Sequence, residues 1–105
     1  MFRIRFAKPV AGRSFDRLPR DVQSFFNDRF DRLAKDPHVR TAQLDIHPLW
    51  GYTNAWVLRM GREWRAVYAI DGNDVIFVIF GSRKTVYIDL HHLHPPEGTF
   101  LSPRE

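Results

Sequence analysis

Apolar and charged residues alternate from the start of the chain. Phe2, Ile4 and Phe6 are separated by Arg3 and Arg5. A period of two sends alternate side chains to opposite faces of a strand, so this segment reads as a half-buried strand with a basic outer face. After Pro19 the period changes. Val22, Phe25, Phe26, Phe30 and Leu33 recur at three- and four-residue steps, the spacing of one helix face. Proline is tolerated in a first helical turn and Asp36-Pro37 stops the pattern, so the main helix spans Pro19 to Lys35. Between the two elements, Pro9 to Arg17 fits either a short helix or a loop, with Gly12 counting against the helix.

His38 to Asn54 is irregular, with a short strand possible near Gln43 to Ile46. Alternation then returns. Trp56, Leu58 and Met60 share one strand face, with Val57 and Arg59 on the other. Trp64, Ala66, Tyr68 and Ile70 likewise oppose Arg65 and Val67. Val75 to Phe80 is apolar at every position, as in a strand covered on both faces. Thr85 to Leu90 is expected to add a short last strand. Short turns between these strands imply antiparallel pairing. The expected fold is α+β: a small, mostly antiparallel, twisted sheet with one or two N-terminal helices packed on one face. Residues 1–90 form the domain, and the polar, proline-bearing residues 91–105 form a loose tail.

The turn after Met60 decides where two cations lie. A two-residue turn, Gly61-Arg62, would separate Arg59 from Arg65. A three-residue turn, Gly61-Arg62-Glu63, would pair them on one face. The alternation of large apolar residues favours the second, because Trp56, Leu58, Met60, Trp64, Tyr68 and Ile70 then all face the core.

With 105 residues, 44% of them hydrophobic, the chain suits one folded domain with a modest core. Formal net charge is +4, and residues 1–40 hold ten Lys or Arg against five Asp or Glu. Such an excess favours acidic partners such as RNA, DNA or an acidic protein segment, although a merely solvated surface has the same composition. The absence of cysteine excludes disulfides, thiol nucleophiles and Cys-based zinc sites. The N-terminus has no signal-peptide core, and the longest strongly apolar run is too short to span a bilayer. A cytoplasmic protein without membrane partners is therefore expected.

Three residues near the last strands suit a phosphate backbone: Arg65, Arg83 and Tyr87. The planar guanidinium fork matches two phosphate oxygens, and a sheet holds it rigidly. Structural readings exist for each. Arg65 could pair with Glu63 or Asp71, Arg83 could be a solvated turn cation beside Lys84, and Tyr87 could be packing. Trp50 and Tyr52 would either cover the core or stack on a base. His91, His92 and His94 suit proton transfer, a metal, or a solvated tail, and no carboxylate or cysteine set accompanies them at ligand spacing. Asp71-Gly72-Asn73-Asp74 is a turn, because the twelve-residue calcium pattern is absent.

Six motifs in order carry a family resemblance: Leu18-Pro19 before the main helix, Asp36-Pro37 at its end, Trp56 to Gly61, Trp64 to Tyr68, the Asp71-Gly72 turn, and Gly81 to Tyr87. Over residues 2 to about 90 the chain resembles the RelE/ParE superfamily of bacterial toxins. The resemblance implies the toxin of a type II toxin–antitoxin pair, bound to a cognate antitoxin as a hetero-oligomer. RelE-like members are ribosome-dependent mRNA endonucleases that need no metal or other cofactor. In them the 2′-hydroxyl attacks the adjacent phosphate. ParE-like members instead poison DNA gyrase without nuclease activity, and an inactive member kept for binding is a third possibility. By position, Arg65 and Arg83 resemble the arginines on the scissile phosphate, and Tyr87 the tyrosine that orients the nucleotide. Arg59 falls where a basic residue is often found. A guanidinium hardly ever loses its proton, so Arg59 suits charge stabilisation rather than general base catalysis. Relatives such as HigB and YoeB place a histidine near the C-terminus, which makes His92 the expected proton carrier; His47 is a remoter candidate.

Overall fold

A computed structural model describes residues 1–7, 9–38 and 44–92, with backbone alone for His91 and His92. The elements are β1 (Arg3–Phe6), α1 (Val10–Asp16), α2 (Arg20–Lys35), β2 (Asp45–Pro48), β3 (Ala55–Met60), β4 (Trp64–Asp71), β5 (Asp74–Ser82) and α3 (Val86–His92). The five strands form one sheet in the order β1-β5-β4-β3-β2. β1 runs parallel to β5, and all other neighbours are antiparallel. This is the α+β architecture expected from the hydrophobic pattern.

Alternation sorts the strand side chains into two cores. On the first face, Leu58, Ala66, Tyr68, Val75, Phe77 and Phe80 pack under Val22, Phe26 and Leu33 of α2. On the second, Val57, Val67, Val78 and Ile79 meet Val86 and Leu90 of α3. Val67 pairs with Ile79 but Tyr68 with Phe77, so Val78 is the extra residue of a bulge. The bulge turns Val78 and Ile79 to the second face and leaves Phe77 and Phe80 on the first, their rings stacked at 5.1 Å. An unbroken apolar run is what such a strand requires.

β1 stops at Phe6, whereas β5 continues to Ser82. α1 takes over along the exposed edge, settling the choice between helix and loop in favour of the helix. The Phe80 N–H, left without a strand partner, donates to Ser14 Oγ at 3.0 Å, and that hydroxyl donates in turn to the Ala11 carbonyl. The Gln23 side-chain amide donates to the carbonyls of Phe15, Asp16 and Leu18, which serves the open end of α1 and ties it to α2.

One expected strand is a helix. The segment from Thr85 to Leu90 does not pair with the sheet; residues Val86–His92 form α3. Val86, Ile88 and Leu90 alternate as a strand would, but Val86 and Leu90 are also four apart, on one face of a helix. Both are buried in the second core, while Tyr87, Ile88 and Asp89 point outward. Tertiary burial decides between two periods that a short segment satisfies equally. The tail expected from His91 onward begins as the end of this helix, and residues 93–105 lie outside the described residues.

Candidate functional site

The β3–β4 hairpin closes with three residues, Gly61-Arg62-Glu63, since Met60 pairs with Trp64. Gly61 adopts φ +57°, a left-handed conformation that glycine accepts at little cost. The odd loop length puts Arg59 directly opposite Arg65 on the second sheet face. The three-residue alternative is thus the one realised.

Arg65 is only 6% exposed. Its Nη1 donates to the carbonyls of Trp64 at 2.8 Å and Gly61 at 3.3 Å. Neither Glu63 nor Asp71 pairs with it, and among the described residues no carboxylate lies within ion-pair distance. Arg59 differs. Its Nη2 donates to Asp45 Oδ1 of β2 at 2.8 Å, and Asp45 is its register partner across β2–β3. The hydrogen bond to Asp45 raises the pKa of Arg59 above its ordinary value. Desolvation opposes the shift, while the negative charge of Asp45 adds to it.

On the other side of β4, Arg65 pairs with Gly81. A Cβ at position 81 would lie 3.6 Å from Thr85 Oγ1 and Val86 Cβ, so the start of α3 sits close over the strand beside Arg65. Two residues later the Arg83 N–H donates to the Glu63 carbonyl and locks the β5–α3 turn to the β3–β4 turn. The Arg83 side chain is exposed, with no ion pair among the described residues. Tyr87, on the outer side of α3, is 36% exposed and within electrostatic range of Arg59. One end of the sheet therefore gathers Arg59, Arg65, the turn bearing Arg83, and Tyr87. The fifth expected residue, His92, belongs to α3 by its backbone; its side chain lies outside the described residues.

Two further residues join this face. The chain pattern does not mark Asp45 as a site residue, and His47, the remoter proton-transfer candidate, lies on a strand rather than in a loop. Both lie on β2, in register with Arg59 and Val57 of the second face. The signal was present: Leu44 and Ile46 are buried, and Asp45 and His47 alternate with them. Trp50 is 87% exposed and does not cover the core, whereas Tyr52 packs against the second cluster. No group of three or more His, Asp or Glu among the described residues is placed to hold a metal.

No protein-family model matches this chain, and no curated protein matches it significantly. Solved structures do. In the RelB–RelE antitoxin–toxin complex from Methanococcus jannaschii, the matching chain is 22% identical, with a TM-score of 0.65 over 79% of this chain and 94% of that one. In the Escherichia coli DinJ–YafQ toxin–antitoxin complex the values are 12% and 0.68, over 82% and 97%. The YoeB dimer from Staphylococcus aureus matches at 17% and 0.65, over 76% and 94%. The chain therefore has the RelE/ParE-like toxin fold.

Proposed function

We propose that this protein is the toxin of a type II toxin–antitoxin pair and cuts mRNA on the ribosome. The observation that carries the reading is Arg65: a buried guanidinium with no carboxylate partner among the described residues, directly opposite a second arginine. Like charges facing each other across a sheet repel, and burying a charge without a counter-ion costs on the order of several kcal/mol, only part of which two carbonyl hydrogen bonds offset. A phosphate between them removes both penalties. Fold similarity to chains crystallised with RelB and DinJ supports a cognate antitoxin as partner.

In this reading Arg65 and Arg83 bind the oxygens of the scissile phosphate. The substrate's 2′-hydroxyl attacks phosphorus, the bond to the 5′-oxygen breaks, and a 2′,3′-cyclic phosphate and a 5′-hydroxyl result. Charge accumulates on the phosphorane, where fixed cations stabilise it. Arg59 adds positive charge, and Tyr87 orients the nucleotide. One proton leaves the 2′-hydroxyl and one reaches the 5′-oxygen; His92 is the proton carrier in this scheme, since no arginine suits the task. The site operates in the cytoplasm, where the ribosomes are. No helix among the described residues is long and apolar enough to cross a membrane.

Primer extension on an mRNA in a bacterial translation extract tests the reading. Discrete cuts within translated codons are expected with the wild-type protein, and none with Arg83→Ala or without ribosomes. Intact mRNA in an active extract overturns it and directs attention to DNA gyrase.

A further inference from the structure

Among the described residues, one carboxylate forms an ion pair with an arginine of the site. Asp45 meets Arg59 at 2.8 Å through a single nitrogen, Nη2. Arg59 Nε is buried and has no hydrogen-bond partner. Among the described residues Nη1 has no partner either, and it is the outer nitrogen left to meet a ligand. The pair is also open to solvent, with side-chain exposures of 41% for Arg59 and 53% for Asp45. An exposed pair adds little to folding stability. Fold stability is thus a weak reason for its presence.

We propose that Asp45 is a positioning residue: it fixes the guanidinium of Arg59 so that Nη1 is presented to a phosphate oxygen beside Arg65. The inference rests on the RNA-cleavage reading. Without Asp45, Arg59 keeps its charge but loses the contact that fixes its guanidinium. A phosphodiester is then still attracted, but Nη1 is no longer held toward the oxygen that gains charge as the phosphorane forms. Only interactions stronger in the transition state than in the ground state accelerate the chemical step. Asp45→Asn is therefore expected to bind RNA at least as tightly and to cut it more slowly.

The test is single-turnover cleavage on purified ribosomes carrying a defined A-site codon. Wild type is compared with Asp45→Asn, Asp45→Glu, Arg59→Ala and the Asp45→Asn/Arg59→Ala double variant. For Asp45→Asn the maximal rate is expected to fall about tenfold, the scale of one charge-assisted hydrogen bond, with no rise in the half-saturating protein concentration. Asp45→Glu should recover part of the rate. Because Asp45 acts through Arg59, the double variant should be no slower than Arg59→Ala alone. Thermal melting of Asp45→Asn should match wild type, which separates positioning from unfolding. Wild-type rates in Asp45→Asn, or independent, additive losses in the double variant, overturn the inference and leave the cleavage reading standing. Absence of cleavage by the wild-type protein overturns both.

Discussion

Arg59 and Arg65 face each other as register partners of β3 and β4. Opposed cations on a sheet are unfavourable, and among the described residues only Arg59 has a carboxylate. Asp45 serves Arg59, while Arg65 relies on two backbone carbonyls. The geometry follows from a turn of three residues rather than two.

Arg65→Lys tests whether the fork matters or only its charge. Lysine keeps one positive charge but cannot hold two phosphate oxygens in a plane. The variant should fold normally by circular dichroism and lose at least tenfold in cleavage rate, about the value of one charge-assisted hydrogen bond. Equal rates for the two proteins would remove the bidentate role.

Gly61→Ala addresses the turn itself. At φ +57° an L side chain is strained, so the variant should lose about 1 kcal/mol in urea unfolding. Nothing lies within 4 Å of an added Cβ, so sterics with neighbours do not contribute. A stability equal to wild type would contradict the left-handed turn.

Tyr68 is fully buried, and its hydroxyl donates to the Pro37 carbonyl at 2.7 Å. Burial, more than the nearby Asp36 charge, raises its pKa far above the ordinary phenol value, so it stays neutral and donating at any usual pH. Tyr68→Phe leaves that carbonyl without its partner and should cost about 1–2 kcal/mol in chemical denaturation, with cleavage unaffected because the hydroxyl lies on the face opposite Arg65. A neutral substitution would mean that water replaces the bond.

Asp74 supports the parallel β1–β5 junction through Arg3 and Arg5, each at 2.8 Å. Its pKa is lowered, first by the hydrogen bond from Arg3 and then by that from Arg5. A depressed folded-state pKa means that the stabilisation is fully present above the ordinary carboxylate range and is lost as pH falls through the lower folded value. Asp74→Asn should therefore melt below wild type at neutral pH, and the two melting curves should converge in acid. A gap that is constant across the acid range would show that the carboxylate's charge is not what Arg3 and Arg5 hold.

Much of this could be read from the chain. The two periodicities located the main helix and the β3 and β4 strands, and an unbroken apolar run located β5, because period-two and period-3.6 burial leave different marks. The same alternation pointed to Arg59 and Arg65 on one face. Where a segment was short, the pattern was ambiguous. Val86, Ile88 and Leu90 satisfy strand and helix alike, and only the second core, which needs Val86 and Leu90 together over Val67 and Ile79, selects the helix that carries Tyr87 outward. Asp45 and His47 lie in a four-residue edge strand, too brief to signal its partner.

By itself, then, the order of residues determined the elements with long repeats and which side chains share a strand face, because these depend on local period and residue type. Which strand neighbours which, that Arg65 is buried with no carboxylate partner among the described residues while Arg59 has Asp45, and that Tyr87 arrives from a helix were decided by the tertiary structure. Those relationships join positions far apart in the chain, and only the closing of two cores on a shared sheet brings them within reach of one another.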